Sequence, residues 1–104
     1  MDADIVRLAD ALDDLAMFLI AHSEPSWGDW IARDAILVRR GDGRGVTHFL
    51  AAFGGMGSLN DLVFDPAGAN AAPEPEAIAL TERFEELRGR AWKQANALRH
   101  AAQE

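Results

Sequence analysis

Cysteine is absent from the 104 residues of this chain, which removes disulfides, thiolate metal sites and cysteine nucleophiles from consideration. Long apolar runs are also missing. No stretch approaches the ~18–20 residues needed to span a bilayer. Basic residues are scarce: ten lysines and arginines face seventeen aspartates and glutamates, for a net charge of −7. Nucleic-acid binding relies on cations to displace phosphate counterions, so that balance argues against it and favours a basic partner. The opening Met1-Asp2-Ala3-Asp4 lacks the basic segment of a secretory leader, and the expected location is cytoplasmic.

What remains is an ordinary globular composition, 49% apolar and 26% charged, enough for one domain with a single core. Ile5, Leu8, Leu12, Leu15 and Leu19 recur at three-four spacing, predicting an amphipathic helix from about Asp2 to His22, capped by Asp2 or Asp4. Its last turns, Leu15 to Ala21, are apolar nearly all round, so that end is expected to be the most deeply buried. Pro25 breaks the chain, since a proline disfavours helix at the residue before it.

Ser26 is then expected to cap a second helix, with Asp29 completing a capping box and Trp27, Trp30, Ile31, Ala35 and Val38 on the inner face. Gly41 stops it. Asp42 is a candidate N-cap for a third helix carrying Val46, Phe49, Leu50 and Phe53, and Gly54 takes the left-handed position at that helix's end. Leu62-Val63-Phe64 is too short to assign to helix or strand. Residues 65–75 (DPAGANAAPEP) read as a flexible linker. A last helix follows from about Pro75 to Ala102, with Leu80, Phe84, Leu87, Ala91, Ala95 and Leu98 inward. Gly89 within it costs about 1 kcal/mol relative to alanine, which predicts close packing against a neighbour. The fold expected is a small all-α, four-helix domain over residues 1–104, its first and last helices paired.

The conspicuous segment is Phe53-Gly54-Gly55-Met56-Gly57-Ser58-Leu59-Asn60-Asp61-Leu62. Three glycines in four positions supply backbone freedom rather than packing, and Ser58, Asn60 and Asp61 are turn-forming residues. Two readings stand: a helix end and tight turn capped by Ser58, or a nest of backbone N–H groups that binds an anion or a partner's carbonyls. The lysine of a phosphate-binding loop is missing and no strand precedes the segment, which disfavours nucleotides.

Together with Gly41-Asp42-x-x-Gly45 and the Trp27-x-x-Trp30 pair, this segment resembles the signature of a family of small bacterial proteins of unknown function. That signature reads G-D-x-x-G followed by F-G-G-M-G-S-[FL]-N-D-L. The resemblance runs from about Trp27 to Phe64 and implies a helical cytoplasmic domain with no assigned reaction. Orphan families of this kind include immunity proteins that neutralise toxins.

No catalytic set stands out. Ser58, His48 and Asp61 have the residue types for nucleophile and base, as do Asp42 and Asp61 for paired carboxylates, but the spacing specifies neither. His22, His48 and His100 show no metal-ligand spacing, and neither a metal nor a cofactor is expected. The leading expectation is a non-catalytic protein that binds another, basic protein. One version is an immunity protein using Asp10, Asp13 and Asp14, or Glu82, Glu85 and Glu86, with Trp27 as an interface anchor. The alternatives are an anion-binding module in which Arg39, Arg40 or Arg44 assists the glycine loop, and an enzyme built on His48 with Asp61 or Ser58. A homodimer through Trp92 and Phe84 on the last helix is a further expectation.

Overall fold

A computed structural model describes residues 3–53, 59 and 74–103. It places them in four helices: α1 (Ala3–Ala21), α2 (Pro25–Arg39), α3 (Arg44–Ala51) and α4 (Glu74–Gln103). The protein is all-α, with no strand among the described residues. α1 is the central element. It packs most extensively on α2 and then on α4, while α3 lies on α2 and touches α4.

The leucine spacing of α1 explains its place. Leu8, Leu12, Leu15 and Leu19 are fully buried, with Ala9, Ala11 and Ala16 closing the gaps between them. From α2 come Ile31, Ala35 and Val38; from α3, Phe49; from α4, Phe84, Leu87, Ala91 and Ala95. Burying this many aliphatic side chains supplies the main stabilising term, about 1.5–3 kcal/mol for each large one. The end of α1 differs from expectation. Met17 is 69% and Ile20 51% exposed, because α2 and α4 cover only two sides of a segment that is apolar on all of them.

Both α1 and α2 end in the same hydrogen-bonded turn. After α1, Ser23 takes a left-handed φ of 69° and the Glu24 N–H donates to the Leu19 carbonyl at 2.8 Å. After α2, Gly41 takes φ 75°, its N–H donates to Val38 and that of Asp42 to Leu37, each at 2.9 Å. These are Schellman closures, which satisfy carbonyls the helix itself leaves free. Glycine enters the left-handed conformation without strain, whereas Ser23 does so at a cost.

The start of α2 lies one residue ahead of expectation. Pro25 is the first helical residue and Glu24 the N-cap, so Ser26 sits inside the helix and caps nothing. Proline has no N–H to satisfy and its fixed φ suits the first turn, which makes that start favourable. At α3 the N-cap is Gly43, yet the Asp42 carboxylate still accepts the Arg44 N–H at 3.0 Å, so its side chain does the capping. α3 closes at Ala51 with Ala52 as C-cap. The position after the cap is therefore Phe53, ahead of Gly54, and it is not left-handed.

Gly89 also overturns its expectation. A Cβ there would meet nothing within 4 Å among the described residues, so the glycine lies on the open side of α4 and leaves room rather than admitting a neighbour. Phe84 is buried and stacks at 6.3 Å on Phe18 of α1, whereas Trp92 is 46% exposed. The two cannot form one surface stripe.

Candidate functional site

Two glycines set the α2–α3 corner. Gly41 turns the chain, and Gly45 lets α3 lie directly on α2: a Cβ at Gly45 would come within 2.9 Å of both the Asp34 carbonyl oxygen and the Leu37 Cβ. Three residues further along α3, His48 is thereby brought to the Asp34 side chain. Its Nδ1 lies 2.5 Å from Asp34 Oδ1.

Asp34 is fully buried, the only buried charged residue among those described. It occupies a core position of α2, one turn from Ile31 and Val38. Burial pushes its carboxyl up to about 6 from 3.8, against the hydrogen bond and charge of His48 and a weaker contribution from Trp30, which favour the anion. Asp34 Oδ2 and Trp30 Nε1 are both buried, and neither forms a hydrogen bond of ordinary geometry. The imidazole itself is about half exposed, at 48%.

Trp30 completes the arrangement. Its ring stacks on His48 with centroids 4.3 Å apart and planes 16° from parallel. Trp27, one turn earlier, packs on Trp30 at 5.4 Å. Both tryptophans are half-buried and rest on the core. The result is a fixed aromatic surface running Trp27, Trp30, His48. A carboxylate beneath sets the ring orientation, and with Asp34 ionised Nδ1–H donates to it, leaving Nε2 as the group available to a ligand.

Among the described residues, the carboxylate at His48 is Asp34; Asp61 and Ser58, which the catalytic alternative joined to His48, lie outside them. Asp34 was missed because it sits among apolar residues at core spacing and reads as an interruption of the pattern. A carboxylate at a core register on one helix and a histidine on the next was the signal to follow.

Asp10, Asp13 and Asp14 face the surface but are tied inward. Arg39 of α2 bonds Asp10 at 2.9 Å and Asp13 at 2.5 Å, and Arg90 of α4 bonds Asp14 at 2.5 Å. They knit α1 to both neighbours. Glu86 pairs with Arg83, while Glu82 and Glu85 make no ion pair among the described residues. Arg44 is held by Asp42, whose carboxyl it draws down to about 2. With Arg39 and Arg44 engaged, Arg40 is the member of that arginine set without an ion pair among the described residues. A cleft of about 500 Å³ opens beside this corner, walled by Ile5, Val38, Val46 and Leu98, with Arg44 and Arg99 in its lining.

Gly54, Gly55, Gly57, Ser58, Asn60 and Asp61 lie outside the described residues, as do 62–64 and most of the expected linker. After Phe53, Leu59 is the one residue of the motif that is described: it is fully buried and its N–H donates to the Ala52 carbonyl at 2.9 Å. Among the described residues, no three potential ligands converge on a metal position, and no helix is long and apolar enough to cross a membrane.

Comparison with known proteins gives a family match, described as Domain of unknown function (DUF6966), over residues 20–72. The chain belongs to this family. The matched span holds Trp27, Trp30, Asp34 and His48, the whole α2–α3 corner and the glycine segment, and stops short of α4. No curated protein and no solved structure matches.

Proposed function

We propose that this chain is a non-catalytic, partner-binding helical protein, and that Trp27, Trp30 and His48 form its recognition surface. The observation that supports the reading is Asp34. A fully buried carboxylate with an unpaired oxygen costs stability, and an apolar residue of similar size is usually no worse and often better. Here that cost holds one half-exposed imidazole in a single orientation against an indole. Rigid, partly exposed tryptophans are the side chains that most often anchor protein interfaces, because they contribute large contact area with little entropy to lose.

The site offers a partner two aromatic faces and one imidazole nitrogen. Around it the protein carries a net charge of −7, which steers a basic partner toward association. An immunity protein that covers a basic toxin is the specific version of this proposal. The test is affinity capture with the wild-type chain, Trp27→Ala and His48→Ala in parallel, circular dichroism verifying that each variant is folded. A partner identified with the wild type and lost with both variants supports the reading. Retention of that partner by both variants, or no stable partner in the native host, refutes it.

The cleft beside Arg44 and Arg99 favours a second reading, a small ligand with an apolar body and an anionic end. Saturable binding of such a compound, weakened by Arg99→Ala, would support it.

A further inference from the structure

The outward face of α4 belongs to none of the contacts described so far. Ile78, Glu82, Glu85, Gly89, Trp92 and Asn96 recur at three-four spacing and therefore form one stripe, opposite the Phe84, Leu87, Ala91 and Ala95 side that enters the core. Ile78 is 54% and Trp92 46% exposed. Between them Gly89 leaves an open notch, with nothing within 4 Å of a Cβ among the described residues. Glycine in mid-helix is unfavourable, and no contact described within the chain gains from it. An indole seated from outside would.

Charge indicates what is seated there. Along α4, Glu76, Glu82, Glu85 and Glu86 lie before Gly89, with Arg83 the one cation among them. Arg88, Arg90, Lys93 and Arg99 lie around and after it, with no acid. The helix is thus acidic in its first half and basic in its second, and the division falls at the notch. A second α4 running antiparallel is complementary to it in both charge and shape. With Gly89 opposite Trp92 of the second copy, Glu85 falls opposite Asn96 and Glu82 opposite Arg99, because each pair of numbers then has the same sum. Glu82 and Glu85 have no ion pair among the described residues, so both are available. The basic end is already ordered: Arg99 donates to Asn96 Oδ1 at 2.7 Å, and Asn96 Nδ2 to the Trp92 carbonyl at 3.0 Å.

We propose that this face binds a second copy of the chain, α4 against antiparallel α4, each Trp92 entering the Gly89 notch of the other. The contact is isologous and closes on itself, as two-fold dimers require. It uses a face separate from Trp27, Trp30 and His48, so the two sites stand or fall independently.

Sedimentation equilibrium of the full chain up to about 1 mM tests it, that being the weak limit of specific association. The expected result is a concentration-dependent dimer whose dissociation constant rises at least tenfold in Gly89→Gln, which fills the notch. Glu82→Arg alone should weaken the dimer, and Glu82→Arg with Arg99→Glu should restore it. Circular dichroism and thermal unfolding verify that Gly89→Gln is folded, as expected because a Cβ there meets nothing within 4 Å among the described residues and helix propensity improves. A monomer at every concentration overturns the proposal. So does a dimer indifferent to Gly89→Gln, or one that the double charge exchange does not rescue.

Discussion

Replacing Asp34 by asparagine separates the charge of the buried carboxyl from its shape. In the folded protein that carboxyl titrates near 6 rather than 3.8. Between those values the folded state holds more protons than the unfolded one, so this group's contribution to stability falls as pH rises. The contribution is complete below 3.8 and lost above about 6. At 1.36 kcal/mol per pH unit of difference the full change is about 3 kcal/mol, of which roughly half falls between pH 5 and pH 8. Asparagine keeps the volume and a hydrogen-bonding group near His48 Nδ1 but has no proton to exchange. Urea unfolding of both proteins at several pH values from 5 to 8 isolates the effect, since other carboxylates titrate alike in the two and cancel. The stability of Asp34→Asn relative to wild type should therefore rise by about 1–2 kcal/mol over that range. A difference that stays constant with pH would refute the reasoning, and one that falls would mean the carboxyl is ionised more readily in the fold than outside it.

Other substitutions probe neighbouring parts of the same corner. His48→Ala leaves Asp34 without its hydrogen-bond partner and should cost about 1–3 kcal/mol at pH 7 by chemical denaturation. Gly45→Ala drives a methyl against the Asp34 carbonyl oxygen and the Leu37 Cβ; a loss of about 1–3 kcal/mol is expected, with weaker quenching of Trp30 fluorescence as His48 is displaced. Gly41→Ala meets open space but keeps φ at 75°, so the cost is backbone strain alone, about 1–2 kcal/mol in thermal unfolding. Ser23→Gly relieves the same strain at the end of α1 and should raise stability by roughly 0.5–1 kcal/mol.

Much of the architecture was legible because helix periodicity is a repeated signal. The leucines of α1 and the Phe84, Leu87, Ala91, Ala95 series of α4 each state the same inward direction several times, and one wrong position does not mislead. Single residues carry no such redundancy. Ser26 looked like a cap because its type favours one, but Pro25 beside it was the better first residue. Gly89 could be read equally as a place where a neighbour comes near and as one where none does. The apolar surplus at Met17 and Ile20 could not reveal which side the other helices leave open. Asp34 and His48 are fourteen residues apart on different helices, and nothing local relates them. Their meeting depends on the angle at which α3 leaves α2, a property of the corner rather than of either residue.

That corner has a consequence for how the chain can change in length. Gly41 fixes where α2 ends, Asp42 fixes where α3 begins, and Gly45 fixes how near the two axes lie. The separation between these three determines which side of α3 faces inward. Adding or deleting one residue between Gly41 and Gly45 would rotate every later position of α3 by about 100°. His48 would swing away from Asp34 and Phe49 would leave the core, even with every side chain still present. The segment should therefore accept exchanges at Gly43, which is exposed with open space beside it, yet tolerate no insertion. In a collection of related chains, the spacing from Gly41 to His48 should be constant while the residue at 43 varies.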